Sequence, residues 1–235
     1  MLAAALLFHS GARAQSSQKS SLTRLVEAEV GRFVGPGGPY RGGIYIKHLG
    51  TGEEASVNAT RHFETASTFK LAVMVLAYQM ADQKKLNLNE RYTIKPSDIR
   101  GGSGIFRYQD MGLNPTIRDV ITQMIITSDN SATDIMLAKV GGVGALNAWL
   151  KQSGYNDFHV NSTIFEYFRQ RYDVLDAKYA KMSPEELYAL GTNNPVFTTS
   201  RNAFIKEVEE GMTRSAARVN EEMAKRRGDE KYWLG

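Results

Sequence analysis

Between residues 20 and 34 the apolar positions Leu22, Leu25, Val26, Val30 and Phe33 recur at helical spacing behind serines that can cap the first turn, which predicts an amphipathic helix. "GPGGPYRGG" then breaks the chain. "GGIYIKHLG" and "EEASVNA" alternate apolar and polar residues on either side of Gly50-Thr51-Gly52, the pattern of a β-hairpin. Ser67 to Met80 runs without a breaker and reads as a buried helix. After the turn-rich "GGSGIFRYQDMGLNP", Thr116 to Ile126 place Ile117, Val120, Ile121, Met124 and Ile125 on one side of another helix. "SATDIMLAKVGG" and "GALNAWLKQSG" predict two more, separated by glycines. "SPEELYAL" carries a capping box, with Ser183 as cap, Pro184 at the first helical position and Glu186 three residues after the cap. Residues 200–228 read as a long, charged, amphipathic helix. No internal repeat or low-complexity tract interrupts this order. One hairpin followed almost entirely by helices implies an α+β fold whose sheet is incomplete in this chain, because two strands alone are marginal in water.

Composition narrows the classes. The chain has 235 residues, 42% of them hydrophobic and 23% charged, as expected of a globular protein. Its formal net charge is +4, and without the first fourteen residues 28 basic face 25 acidic residues, a +3 surplus that gives no case for nucleic-acid binding. The absence of cysteine excludes disulfides, thiolate zinc sites, a cysteine nucleophile and a lipidated cysteine anchor. Four histidines (His9, His48, His62 and His159) form no pair at ligand spacing, so neither a metal nor another cofactor is expected. Leu2 to Phe8 followed by Ala12-Arg13-Ala14 has the apolar core and cleavage pattern of a secretory leader over residues 1–14, with Gln15 as mature start. It lacks the usual basic n-region, and a plain N-terminal tail is the alternative. No run of eighteen apolar residues occurs, so no membrane span is expected. The expectation is an exported protein, secreted or periplasmic.

Two polar clusters interrupt this apolar background. Ser67-Thr68-Phe69-Lys70 sets a serine and a lysine one helical turn apart on the same face. At a helix N-terminus the serine oxygen lies near the positive end of the dipole, and a partly desolvated lysine loses preference for its charged form and can take a proton from a hydroxyl. Taken alone, a helix cap and a snorkelling lysine account for the same letters. Ser128-Asp129-Asn130 closes the helix of residues 116–126 with a tight loop that can present a hydroxyl and a carboxamide to a cleft; by itself it also reads as the cap of "SATDIM". Gly101-Gly102-Ser103-Gly104 lacks the glycine offset of a G-x-S-x-G elbow and reads as a flexible loop.

"STFK" and "SDNSAT", in this order and about sixty residues apart, resemble the class A serine β-lactamases within the penicillin-recognising serine enzymes, a likeness that covers roughly residues 22 to 155. The resemblance implies an α/β sandwich of the β-lactamase/transpeptidase type. Its substrate would be a small β-lactam, opened by a cofactor-free, monomeric enzyme that confers antibiotic resistance. By that likeness Ser67 is the acylated nucleophile, Lys70 its proton-transfer partner, Ser128 the relay to the β-lactam nitrogen, and Asn130 the holder of the substrate's side-chain amide. The family's Glu-x-x-Leu-Asn loop has its nearest counterpart in "STIFEYFRQRYDVLD", which assigns the deacylating role to Glu166, with Asp157 and Asp173 as alternatives. Residues 166–235 then read as a long helical insertion in a partial catalytic domain of residues 15–235. The third family element, Lys-Thr-Gly or Lys-Ser-Gly, occurs nowhere in the chain. The resulting expectation is a fragment cut within the insertion and inactive by itself. A penicillin-binding D-Ala-D-Ala peptidase, which needs no deacylating glutamate, and a non-catalytic partner-binding relative remain open as alternatives.

Overall fold

The structure, a computed structural model, describes residues 20–35, 37–175, 177–186, 216–226 and 228–229. The leader reading of residues 1–14 lies outside the described residues, as do residues 187–215, which include the start of the helix expected over 200–228. The chain divides into two compact units, Met1–Phe63 and Glu64–Gly235.

In the first unit α1 (Ser21–Val34) starts where Ser20 accepts the Thr23 N–H at 3.0 Å. It lies against a hairpin of β1 (Ile44–Lys47) and β2 (Glu54–Val57), antiparallel with Ile44 opposite Val57 and Lys47 opposite Glu54. Val26 and Ala55 are buried there, and the Thr23 hydroxyl donates to the Glu54 carbonyl at 3.0 Å. The expected five-residue apolar face is only partly used. Leu25 and Phe33 stay 60% and 51% exposed. A two-stranded ribbon is narrow, so among the described residues it covers little more than the i, i+4 row through Leu22, Val26 and Val30.

The second unit is helical. α2 (Phe69–Asp82) turns Phe69, Lys70, Val73, Leu76 and Ala77 inward, whereas Leu71 and Val75 face outward, so it is buried on one side rather than all round. α3 (Ile117–Ile126) begins with a reciprocal cap in which Asp119 N–H donates to Thr116 Oγ1 at 3.1 Å and Thr116 N–H to the Asp119 carboxylate at 3.0 Å. α4 (Asn130–Lys139) is the centre of the unit: every residue from Asn130 to Leu137 is buried, and it packs on α2, α3, α5 and α6. α5 (Gly142–Gln152) follows a turn at Gly141, whose φ of 98° suits glycine. α6 (Ile164–Leu175) is set in place by Asp134 of α4, which accepts the Ile164 and Phe165 N–H groups at 2.8 and 2.9 Å. α7 (Ala216–Arg226) docks on α6 through Arg226, whose guanidinium reaches Asp173, Glu222 and the Gln170 carbonyl. The capping box at Ser183 and Glu186 forms with bonds of 3.2 and 2.7 Å. Among the described residues no helix is long and apolar enough to cross a membrane.

Candidate active site

The site is assembled where the start of α2 meets the loop between α3 and α4. Ser67 sits exposed in a single 3-10 turn, Ala66–Thr68, that leads straight into α2, with Ala66 held at φ 46°. Three residues on, Lys70 points inward and is 2% exposed. An ammonium so placed must spend all three N–H groups on protein acceptors, and it does. Lys70 Nζ donates to the Ser128 carbonyl at 2.7 Å, to Ser128 Oγ at 2.9 Å and to Asn130 Oδ1 at 2.9 Å. Ser128 Oγ in turn donates to Ser67 Oγ at 3.0 Å. Ser67, Lys70, Ser128 and Asn130 therefore belong to one hydrogen-bonded cluster. Among the described residues the lysine reaches Ser67 through Ser128 rather than by a direct bond.

Burial pushes the Lys70 amine down to about 8 from its ordinary 10.5, opposed by the carboxylates of Asp129 and Asp134. Carrying its charge in the fold thus costs on the order of 3 kcal/mol relative to water. Once neutral, the amine has two N–H donors and one lone pair. The Ser128 carbonyl and Asn130 Oδ1 can only accept, so the lone pair is matched by the one neighbour that owns a proton, the Ser128 hydroxyl. With the hydroxyls turned accordingly, this arrangement can carry a proton from Ser67 through Ser128 to Lys70.

What holds Ser128 in place was not visible in the sequence. Its φ is 53°, a left-handed conformation that costs a non-glycine residue roughly 1–2 kcal/mol. Asp129 restrains the turn: almost fully buried, it accepts the N–H groups of Ile105 and Phe106 on one oxygen, at 2.7 and 2.8 Å, and that of Ala132 on the other, at 2.9 Å. The cap and the chemical readings of S-D-N thus both describe this loop. The segment Gly101–Gly104, read as a flexible loop, is instead packed against it. Asn130 N–H donates to the Ser103 carbonyl at 3.0 Å and Asn130 Nδ2 to the Gly101 carbonyl at 2.8 Å. A β-carbon on Gly104, whose φ is 114°, would lie 2.4 Å from the Asp129 carboxyl carbon. Arg100 and Asp134 form a second buried anchor, with Nε to Oδ2 at 2.6 Å. An acidic residue directly before a buried helix, and glycines facing it from another loop, were the signals available.

Glu166 comes from another helix. It stands in the first turn of α6, its carboxylate paired with Arg169 at 2.5 Å. Both line a groove of about 520 Å³ with Gln170, Asp173, Ala180, Glu222 and Arg226, and none of Ser67, Lys70, Ser128 or Asn130 lines it. Asp173, one alternative, is the acceptor of Arg226 in the same groove.

Residues 26–204 match the model of the beta-lactamase enzyme family. Beta-lactamase BRO-1 of Moraxella catarrhalis is 34% identical over 104 residues, which cover 44% of this chain and 33% of that protein. Beta-lactamase ROB-1 of Haemophilus influenzae is 32% identical over 119 residues, 51% of this chain and 38% of that protein. The chain therefore matches little more than a third of the length of these relatives. Among solved structures, PBP-A superposes with a TM-score of 0.55 at 22% identity, over 82% of this chain and 68% of that one. A beta lactamase from Xanthomonas campestris gives 0.52 at 18% identity, over 81% and 68%. These two likenesses establish the α+β fold of the described helices and hairpin. With the family model spanning most of its length, the chain belongs to the beta-lactamase enzyme family.

Proposed function

We propose that the protein is a serine β-lactamase that opens the lactam amide through an acyl-enzyme on Ser67. The observation that carries this reading is the hydrogen-bond chain from Lys70 through Ser128 to Ser67. As Ser67 Oγ bonds to the lactam carbonyl carbon, its proton passes to Ser128, whose own proton passes to the neutral Lys70 amine. The lactam C–N bond then breaks, and the nitrogen takes its proton back from Lys70 by way of Ser128. The positive end of α2 favours the charge that develops on the carbonyl oxygen. Asn130 presents its carboxamide at the cluster and is the residue that orients the substrate's side-chain amide. Water hydrolyses the ester and releases Ser67.

Glu166 is the residue assigned to activating that water, and to do so it must leave its pair with Arg169. That pairing favours a second reading, in which acylation proceeds and hydrolysis does not, as in a penicillin-binding peptidase acting on D-Ala-D-Ala ends. The leader pattern of residues 1–14 supports an exported enzyme, and resistance to β-lactam antibiotics follows from turnover outside the cytoplasm. Incubation with a fluorescent penicillin, followed by mass spectrometry of the labelled peptide, tests both readings. Label on Ser67 that turns over supports hydrolysis, label that persists at one equivalent supports the peptidase, and label or turnover retained by Ser67→Ala sinks both.

A further inference from the structure

Ser103 belongs to the glycine-rich segment that the proposed reaction leaves without a part. We infer that the Ser103 hydroxyl is a positioning residue that shares the Ser128 carbonyl with Lys70, and thereby fixes the turn that carries Ser128 and governs how readily Lys70 gives up its proton. The inference rests on the reading of Ser67 as the acylated hydroxyl and deepens it.

Ser103 Oγ donates to the Ser128 carbonyl at 2.7 Å, the distance at which Lys70 donates to the same oxygen, and lies 3.4 Å from Asn130 Oδ1, the second acceptor of Lys70. The Ser103 backbone carbonyl takes the Asn130 N–H. One residue of an exposed loop thus touches two of the three oxygens that hold the lysine. Two donors on one carbonyl pin the peptide plane that follows Ser128, a residue at φ 53°. Two donors also divide that oxygen's acceptor strength, so the ammonium form of Lys70 gains less from it. The flanking positions are built for the approach: Gly102 is at φ 79°, and a β-carbon there would lie 2.8 Å from Asn130 Nδ2. The charges that bear on Lys70 are Asp129 at the head of α4 and Asp134 within it, both favouring its charged form. On the neighbouring elements Arg100 pairs with Asp134, Arg107 donates to the Gly102 carbonyl, and Glu166 of α6 pairs with Arg169.

The test compares wild type, Ser103→Ala and Ser103→Thr by ¹⁵N NMR titration of the Lys70 amine and by the rate at which a fluorophosphonate labels Ser67. Neither readout needs a β-lactam. In S103A the Lys70 midpoint is expected to rise by about half a pH unit to one, and labelling at pH 7 to slow about tenfold, the equivalent of one hydrogen bond. S103T restores the hydroxyl and is expected to regain most of both, which separates loss of the donor from loss of fold. An unchanged midpoint and labelling rate in S103A overturn the inference. A midpoint that rises while penicillin leaves wild-type Ser67 unlabelled upholds it, and the hydrolase reading then fails alone.

Discussion

Replacing Asp129 by alanine removes one carboxylate and strands three backbone donors, the part-buried N–H of Ile105 and the buried N–H groups of Phe106 and Ala132. Hydrogen bonds to a charged acceptor contribute about 1.5–3 kcal/mol each, and loss of a helix cap alone costs about 1 kcal/mol. Against this, the mutant no longer desolvates an anion, which returns several kcal/mol. The balance is a destabilisation of about 3–4 kcal/mol, near the upper end for single substitutions. For a unit of this size each kcal/mol lowers the melting temperature by about 2–4 °C, so a drop of about 6–16 °C is expected by calorimetry, with a matching loss in urea titration. Asp129→Asn keeps one oxygen for Ile105 and Phe106 and gives up only the Ala132 bond, so about 1–2 kcal/mol is expected. The two variants also remove the largest influence that raises the Lys70 amine, whose midpoint should fall below about 8. A loss under about 1 kcal/mol in D129A, or a Lys70 midpoint that rises, would refute the view of Asp129 as the anchor of this turn.

Acylation of Ser67 should accelerate as pH rises through about 8, where Lys70 becomes neutral, and then level off; a rate independent of pH between 6 and 9 counts against the proton path. The same depressed value has a stability counterpart. Between about 8 and 10.5 the unfolded chain binds more protons than the folded one, so unfolding free energy should rise with pH across that window, and Lys70→Met should lose the rise in paired urea melts at pH 7.5 and 10. Arg100→Met leaves the buried Asp134 carboxylate without its cation and should cost about 3–5 kcal/mol by chemical denaturation, with the entry to α6 loosened in hydrogen exchange. Gly104→Ala forces a β-carbon into Asp129 at φ 114° and should cost at least about 2 kcal/mol while slowing Ser67 labelling; a neutral outcome contradicts the close approach of the two loops.

Periodicity located α1, the hairpin, α3, α4 and α5 within about three residues, because each carries a strong apolar pattern or a local cap. The cluster of Ser67, Lys70, Ser128 and Asn130 was legible because two short motifs sit at helix boundaries. The parts that escaped are long-range. Nothing in "GGSG" announces that it faces Asp129, since the match depends on two loops meeting across the core and not on spacing along the chain. The linkage of Lys70 to Ser67 through Ser128 depends on rotamers and on which neighbours own a proton. Glu166 was assigned by its distance along the sequence; on α6 its side chain meets Arg169 one turn later, an i, i+3 pair that the helix itself creates.

The burial of α4 has an evolutionary corollary. From Asn130 to Leu137 eight successive positions lack a solvent face, so neutral drift has no site along this stretch at which to accumulate. A saturation library should return almost no tolerated alleles across these eight codons and many at outward positions such as Leu71. Divergence within the lineage is therefore expected to be written on the rim of the unit, while its central rod ages slowest.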